Sequence, residues 1–197
     1  MRIPPVLTAS PNSYEASRVT ISHTEFDGVT PYSHSCNNDH YWTIIIGGNG
    51  DRITMFGNWL HDVSGRAPKI GSSTGTQTVH AVSNYFSSGT GHNFDISSSG
   101  RVLIEGNVFE NCNTPLTSAS DGQIYNTPSY TNEAYCSSYL GRNCEMNILT
   151  NAAWSSRLDN GALGAFSSQK SYLVTPNEVT TVAASVKANA GIGKIGN

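Results

Sequence analysis

The chain has 197 residues, which is enough for one domain with a buried core and too few for two of ordinary size. Only 13% of the residues are charged and the formal net charge is -3, so the basic stripe of a nucleic-acid-binding protein is missing and we expect no nucleic-acid partner. No run of about 18 apolar residues occurs, so the sequence predicts no membrane span.

The N-terminal residues 1–5 do not form a signal peptide, because they contain neither an apolar stretch nor a cleavage site of small residues. We therefore expect the chain to be a mature or truncated piece of a longer protein. Its many uncharged polar residues are typical of a secreted, β-rich protein that binds carbohydrate.

Four segments of the chain repeat one pattern. Each has apolar residues at alternate positions, as in a short β-strand, and they span 18–26, 52–60, 78–86 and 101–109. Three of them continue with Gly or Ser and then Asn58, Asn84 or Asn107, and the first has Thr24 at that place. The offsets of 34, 26 and 23 residues are the length of one irregular turn of a β-solenoid.

Further strands are predicted between the repeats, at 41–46, 67–70 and 93–96. Stacked coils would place the recurring asparagines above one another in an inward ladder, at a bend where asparagine tolerates left-handed backbone geometry. A β-sandwich is the alternative, but its turn signals would recur every 8–12 residues or so, and the longer period favours the solenoid.

The last quarter of the chain has a different pattern. Residues 184–190 can form a short helix, and residues 127–143 are typical of a loop. We expect one domain over 1–197, with 151–197 as a C-terminal tail that packs on the outside of the solenoid.

The chain contains four cysteines. Cys136 and Cys144 flank a short polar loop, which in an oxidising compartment predicts a local disulfide. The other two leave alternatives open: Cys36 and Cys112 pair with each other, or Cys112 is a buried thiol and Cys36 has its partner upstream.

Two short segments contain residues that could bind or act on a substrate. Arg66 and Lys69 place two cations at the start of one predicted strand, where they could meet an anionic or ester-bearing sugar, although solvated surface side chains would have the same pattern. Trp42 could stack on a sugar ring at the rim of a cleft, or it could fill the core. Strand alternation does not decide between these two positions.

Other catalytic and metal-binding patterns are missing from the sequence. His61, His80 and His92 do not have the spacing of a zinc motif, and we expect most of them to be structural or exposed. No Gly-x-Ser-x-Gly motif occurs, and spacing marks no pair of carboxylates as an acid and base couple. We therefore predict no metal and no cofactor.

Taken together, these motifs resemble those of the fungal pectin lyases, which share a superfamily with the pectate lyases. The resemblance covers roughly residues 15–150. It is most specific where Ser-Gly-Arg66-x-Pro-Lys69 is followed by His80-Ala-Val-x-Asn84. It implies an all-β fold, a right-handed, single-stranded parallel β-helix, which in this chain is truncated at the N-terminus.

The resemblance also implies an activity and a place of action. Fungal pectin lyases are secreted and cleave α-1,4-linked, methyl-esterified galacturonan by β-elimination, which leaves a 4,5-unsaturated sugar. The arginine that matches Arg66 removes the C5 proton, helped by neighbouring cations of the family cleft. Trp42 and Lys69 match residues that line the cleft of this family. We expect the protein to be a monomer whose partner is pectin.

One difference separates the two kinds of lyase. Pectate lyases bind bare polygalacturonate through calcium and carry Arg-x-Pro-Arg-x-Arg, whereas this chain has Gly71 at the last arginine. The resemblance therefore favours the calcium-independent pectin lyases. Members of that family are roughly twice as long, and Cys36 matches a cysteine whose partner lies upstream, so an inactive or non-catalytic fragment that binds pectic polysaccharide is the alternative.

Overall fold

The computed structural model describes residues 7–8, 18–127 and 135–194. Its β-strands are short and follow one another closely along the chain. In chain order they are β1 (Leu7–Thr8), β2 (Arg18–Ser22), β3 (Glu25–Asp27), β4 (Ile44–Ile46), β5 (Arg52–Phe56), β6 (Trp59–His61), β7 (Lys69–Ile70), β8 (Gln77–Val82), β9 (Tyr85–Ser87), β10 (His92–Ile96), β11 (Gly100–Glu105), β12 (Val108–Glu110), β13 (Thr114–Leu116), β14 (Gln123–Tyr125) and β15 (Ile148–Thr150).

Successive strands belong to successive sheets, so the chain winds through three sheets once per coil. The first sheet contains β1, β4, β7, β10 and β13, the second β2, β5, β8, β11 and β14, and the third β3, β6, β9, β12 and β15. Every strand pair is parallel. The predicted parallel β-helix is therefore confirmed.

The register of the second sheet follows the sequence repeat. Arg18 pairs with Arg52, Arg52 with Thr78, and Thr78 with Arg101. Alternation along each strand buries one row of side chains inside the coils, as Ile53 and Met55 show in β5. The rows continue from coil to coil, and Phe86 stacks on Phe109 with ring centroids 4.6 Å apart. The apolar core is thus a column that runs along the solenoid.

The predicted asparagine ladder is confirmed at the bend between the second and third sheets. Asn58, Asn84 and Asn107 are each fully buried. The Nδ2 atom of each donates to the Oδ1 atom of the next, at 3.0 Å from Asn58 to Asn84 and 2.9 Å from Asn84 to Asn107. The ladder then continues to Asn147, which accepts from Asn107 Nδ2 at 3.0 Å and which the repeat pattern did not reveal.

The left-handed residues of this bend differ from the prediction. They are the residues immediately before the ladder, namely His23, Gly57, Ser83 and Gly106, with φ between 50° and 64°. The ladder asparagines themselves do not have positive φ. The residue before Asn58, Asn84 or Asn107 absorbs the sharp change in chain direction, and the asparagine side chain is then free to point inward and bond the backbone of adjacent coils.

In its described residues, the C-terminal part of the chain adds three α-helices to the outside of the coils. They are α1 (Cys136–Leu140), α2 (Asn160–Ser167) and α3 (Val179–Asn189), and a short 3-10 helix spans Lys170–Tyr172. The predicted helix at 184–190 is thus the second half of a longer one. The predicted loop at 127–143 contains α1, and its residues 128–134 lie outside the described part of the chain.

Each of the two longer helices buries an apolar stripe. Ala162, Leu163 and Phe166 of α2 face the second sheet at β11 and β14, and Val182 and Val186 of α3 face the third sheet at β9 and β12. The division into one domain over 1–197 with a tail at 151–197 stays a prediction. None of the described helices is long and apolar enough to cross a membrane.

The cysteines separate into one bonded pair and two thiols. The structure contains the predicted disulfide between Cys136 and Cys144, with Cα atoms 5.5 Å apart. Cys36 is exposed and Cys112 is buried, and they are not bonded to each other. Burial raises the pKa of the Cys112 thiol to about 11, so it is protonated and unreactive at neutral pH. Cys112 is therefore the buried thiol of the second alternative.

A buried ionic cluster joins the second sheet to the C-terminal segment. Glu105 is fully buried, and its carboxylate lies 2.7 Å from His80 Nε2 and 2.6 Å from an Arg142 guanidinium nitrogen. Burial on its own would raise the pKa of Glu105, but the hydrogen bonds from Arg142 and His80 outweigh it and lower that pKa. The carboxylate is thus ionised in the folded protein at neutral pH.

The lowered pKa of Glu105 predicts acid sensitivity. A carboxyl whose pKa is lower in the folded state contributes stability above its unfolded pKa of about 4.3 and loses it as the pH falls through the folded pKa. We expect the free energy of unfolding to fall between about pH 5 and about pH 3. In Glu105→Gln that fall should be shallower, and the variant should be about 2–4 kcal/mol less stable at pH 7 because Arg142 loses its partner.

Denaturant unfolding at several pH values measures this effect. The control is Glu178→Gln, since Glu178 is exposed and its side chain bonds only to Thr180 in the described structure. A pH profile of Glu105→Gln that parallels the parent protein would contradict the role of Glu105.

Candidate active site

Arg66 lies in the connection between β6 and β7, at the margin of the first sheet. Its backbone has φ +47°, and its carbonyl accepts from Ile44 N at 2.9 Å, which fixes this connection to β4. Its guanidinium carbon lies 5.6 Å from the centre of the Tyr41 ring. The Arg66 Nε atom is buried and has no hydrogen-bond partner among the described residues.

Trp42 contacts the same tyrosine, Tyr41, that lies near Arg66. Trp42 is 40% exposed, and its ring stands edge-on to the Tyr41 ring, with centroids 5.6 Å apart. His34 contacts the same Trp42 ring at 4.8 Å. Trp42 therefore belongs to the surface and does not fill the core, so of the two positions open to it from the sequence, the structure has the one that can stack on a sugar ring.

Lys69 is on β7, two residues before Gly71. Strand β7 belongs to the same sheet as β4, which is the strand that follows Trp42 in the chain. Its Nζ donates to Asp95 Oδ1 at 2.8 Å, and both side chains are about one-fifth exposed. The register of β7 and β10 places the two residues directly opposite each other. Lys69 is thus an oriented, ion-paired cation. Asp95 follows it by 26 residues, which is one of the repeat offsets, so the spacing could have revealed the pair.

The spacing of His92 from the other histidines in the sequence indicated no role for it, but in the structure it lies at this site. Its ring contacts Tyr41 at 5.6 Å, and its Nε2 is buried with no hydrogen-bond partner in the described ranges. Burial lowers the pKa of His92, the charges of Arg66 and Lys69 lower it further, and Asp95 opposes them. The imidazole is therefore neutral at neutral pH and able to accept a proton or a hydrogen bond.

The backbone at Gly71 and its close neighbours leave room for a glycine but not for a larger residue. Its φ is +130°, and a Cβ atom there would lie 2.5 Å from the Cβ of Ser97. An arginine, which the pectate lyase pattern requires at this place, cannot be accommodated unless the neighbouring coil moves. The absence of a carboxylate-binding arginine at residue 71 is thus part of the local fold.

Among the described residues, one group that could hold a metal ion lies at the third sheet and does not include Arg66. Ligand atoms of Asp27, His61 and Asp62 come within 4.8 Å of one another. Both ring nitrogens of His61 already face carboxylates, Nδ1 at 2.7 Å from Asp62 and Nε2 at 3.3 Å from Glu25. These contacts describe a surface ion-pair cluster, and we assign no metal to it.

The sequence matches characterised families along nearly its whole length. The family model described as pectate lyase matches residues 13–195. A probable pectin lyase E of Aspergillus fumigatus is 45% identical over 187 residues, which are 92% of this chain and 48% of the relative. A probable pectin lyase A of Neosartorya fischeri is 41% identical over 180 residues, 91% of this chain and 46% of the relative.

The fold agrees with a solved structure. A variant of a Bacillus subtilis pectate lyase superposes with a TM-score of 0.50 at 15% identity, over 89% of this chain and 51% of that one. This likeness shows the β-helix fold alone. The chain spans about half the length of the curated relatives it matches. Because the family model covers most of its residues, the chain belongs to the pectate lyase family.

Proposed function

We propose that this chain carries the catalytic arginine of a pectin lyase, which cleaves α-1,4-linked, methyl-esterified galacturonan by β-elimination. The observation that carries the proposal is Arg66, whose buried Nε has no partner among the described side chains and which lies with Trp42 around one tyrosine ring. The 45% identity to a probable pectin lyase supports the same substrate class.

In the proposed reaction Arg66 takes the proton from C5 of the sugar. The C5–H electron pair becomes the C4=C5 double bond, the C4–O4 bond breaks, and O4 leaves with its electron pair and gains a proton from solvent. The neutral ester favours this step, because the enolate-like charge is not added to an existing carboxylate. Gly71 agrees with such a substrate, since the chain has no arginine there to bind a carboxylate.

The neighbouring side chains would bind and orient the polysaccharide. The exposed face of Trp42 suits stacking on a sugar ring, and Lys69, held in place by Asp95, can donate to a ring hydroxyl or an ester carbonyl. The neutral His92 adds an acceptor at the same place. We also propose that the protein is secreted, which the disulfide between Cys136 and Cys144 supports, and that it acts as a monomer.

Ultraviolet absorbance of the unsaturated product tests this function. The chain is incubated with highly methylated pectin, with and without a calcium chelator, and we expect a rise that the chelator does not change. If the folded chain gives no rise, the assay is repeated with the chain joined to the N-terminal half of the Aspergillus fumigatus relative. A rise that requires calcium, or none in either form, would contradict a pectin lyase.

A further inference from the structure

The outer face of the second sheet carries two rows of polar side chains, on the opposite side of the strands from the core. Arg18, Arg52 and Thr78 occupy one row and Thr20, Thr54 and His80 the next, as the strand register requires. The C-terminal segment lies over these rows. Together they form a groove, with Phe166 of α2 and Tyr172 of the 3-10 helix in its other wall.

The groove has room for one small ring. Its volume is about 140 Å³. A cavity of about 150 Å³ in a protein core is known to bind benzene. One wall offers aromatic side chains and the other offers hydroxyl groups and cations. This combination of an apolar face and polar edges is typical of a site for a sugar ring.

The charges of the groove are unbalanced. Arg18 and Arg52 are directly opposite each other on adjacent strands, an arrangement in which like charges are destabilising. Arg18 donates to Gln169 Oε1 at 2.7 Å and stacks over the Tyr172 ring at 4.0 Å, and within the described ranges neither arginine has an ion pair. No described residue that lines the groove carries a carboxylate. An anion between the two guanidinium groups would remove the repulsion.

His80 adds an unpaired ring nitrogen to the lining. It is 1% exposed, and its Nδ1 has no hydrogen-bond partner among the residues described. Its Nε2 lies 2.7 Å from the Glu105 carboxylate and donates to it, so Nδ1 is the ring nitrogen that is left unpaired. A buried ring nitrogen of this kind is satisfied by a hydroxyl group, which can both donate and accept, so the groove combines cations for an anion with a partner for a hydroxyl.

We propose that this groove binds a hexuronate unit, a six-membered sugar ring that bears a free carboxylate. The carboxylate lies between Arg18 and Arg52, the hydroxyls face the Thr20, Thr54 and His80 side of the groove, and the ring lies against Tyr172. The choice of galacturonate as the hexuronate rests on the proposed function. The groove itself does not, because it lies on the second sheet and shares no residue with the site around Arg66.

Isothermal titration of the chain with D-galacturonate tests the proposal, with D-galactose as the uncharged equivalent. We expect saturable binding of galacturonate and at least about tenfold weaker binding of galactose. Arg52→Gln should weaken galacturonate binding at least about tenfold. The matched control is Arg101→Gln, which lies in the same row two coils further on, where its guanidinium bonds the carbonyls of Ser98 and Gly100. It should leave binding unchanged.

Two further variants separate the possible failures. Thr54→Val removes a groove hydroxyl without a change in charge and should weaken galacturonate binding by a smaller factor than Arg52→Gln does. This variant keeps the test valid if Arg52→Gln unfolds at a lower temperature than the control. Arg66→Lys should bind galacturonate like the parent chain even where lyase activity is lost. Absence of binding at millimolar galacturonate, equal binding of galactose, or equal weakening by Arg101→Gln would overturn the groove and leave the proposed lyase function untouched.

Discussion

Arg66→Lys is expected to reduce lyase activity by about 10²–10⁴-fold, the usual contribution of a general base. Lysine keeps the positive charge but replaces the planar guanidinium with a compact ammonium on a flexible stem, so the proton-accepting atom no longer occupies the position of a guanidinium nitrogen. The backbone conformation, with φ +47°, should be equally accessible to both side chains. Binding of methylated pectin should therefore stay within a few-fold of the parent.

Two measurements check this result: product absorbance for activity and titration with pectin for binding. Arg101→Lys is the control, because Arg101 is on the second sheet and bonds only backbone carbonyls in the described structure. Equal activity of the Arg66→Lys protein would remove Arg66 as the base. His92, which burial keeps neutral, would then be the next candidate in the same cluster.

Asn84→Ala should cost about 3–5 kcal/mol of folding free energy, more than any other single change that we propose. The Asn84 amide donates to Met55 O at 2.8 Å and to Asn107 Oδ1 at 2.9 Å, and its oxygen accepts from the Asn58 backbone and side chain. All of these partners are deep between coils where water cannot replace the lost bonds. Each buried group left without a partner costs about 1–3 kcal/mol.

The midpoint and slope of denaturant unfolding give this loss directly. Asn113→Ala is the matched control, since Asn113 is exposed and its side chain makes a single bond among the described residues, to Thr90 O. We expect the control to change stability by less than about 1 kcal/mol. If the two variants unfold at the same denaturant concentration, the ladder does not stabilise the coils as described.

The sequence was most informative where one coil repeats the previous one. In a parallel solenoid the offset between repeats is also the strand register, so the alignment of Arg18, Arg52, Thr78 and Arg101 predicted which residues lie opposite each other. The Asn ladder followed from the same periodicity. The comparison with the arginine motif of the pectate lyases also singled out Gly71, where the structure shows that a side chain does not fit.

The periodicity fails where the coils carry long insertions. Asn147 follows Asn107 by 40 residues, and α1 and the Cys136–Cys144 disulfide lie between them, so no fixed offset could reveal it. The partners of the candidate site are also hidden from a linear pattern. Tyr41, Arg66 and His92 come from three different coils, and only the stacking of the first sheet brings them together.

The Asn ladder has a direction as well as a position. The amide nitrogens of Asn58, Asn84 and Asn107 each donate to the side-chain oxygen of the next asparagine toward the C-terminal end, so these side-chain dipoles add along the axis. Aligned hydrogen bonds polarise one another, and a break in the middle weakens the bonds on both sides of it. The solenoid is then a one-dimensional array with nearest-neighbour coupling, in which the ladder makes adjacent coils fold and unfold together.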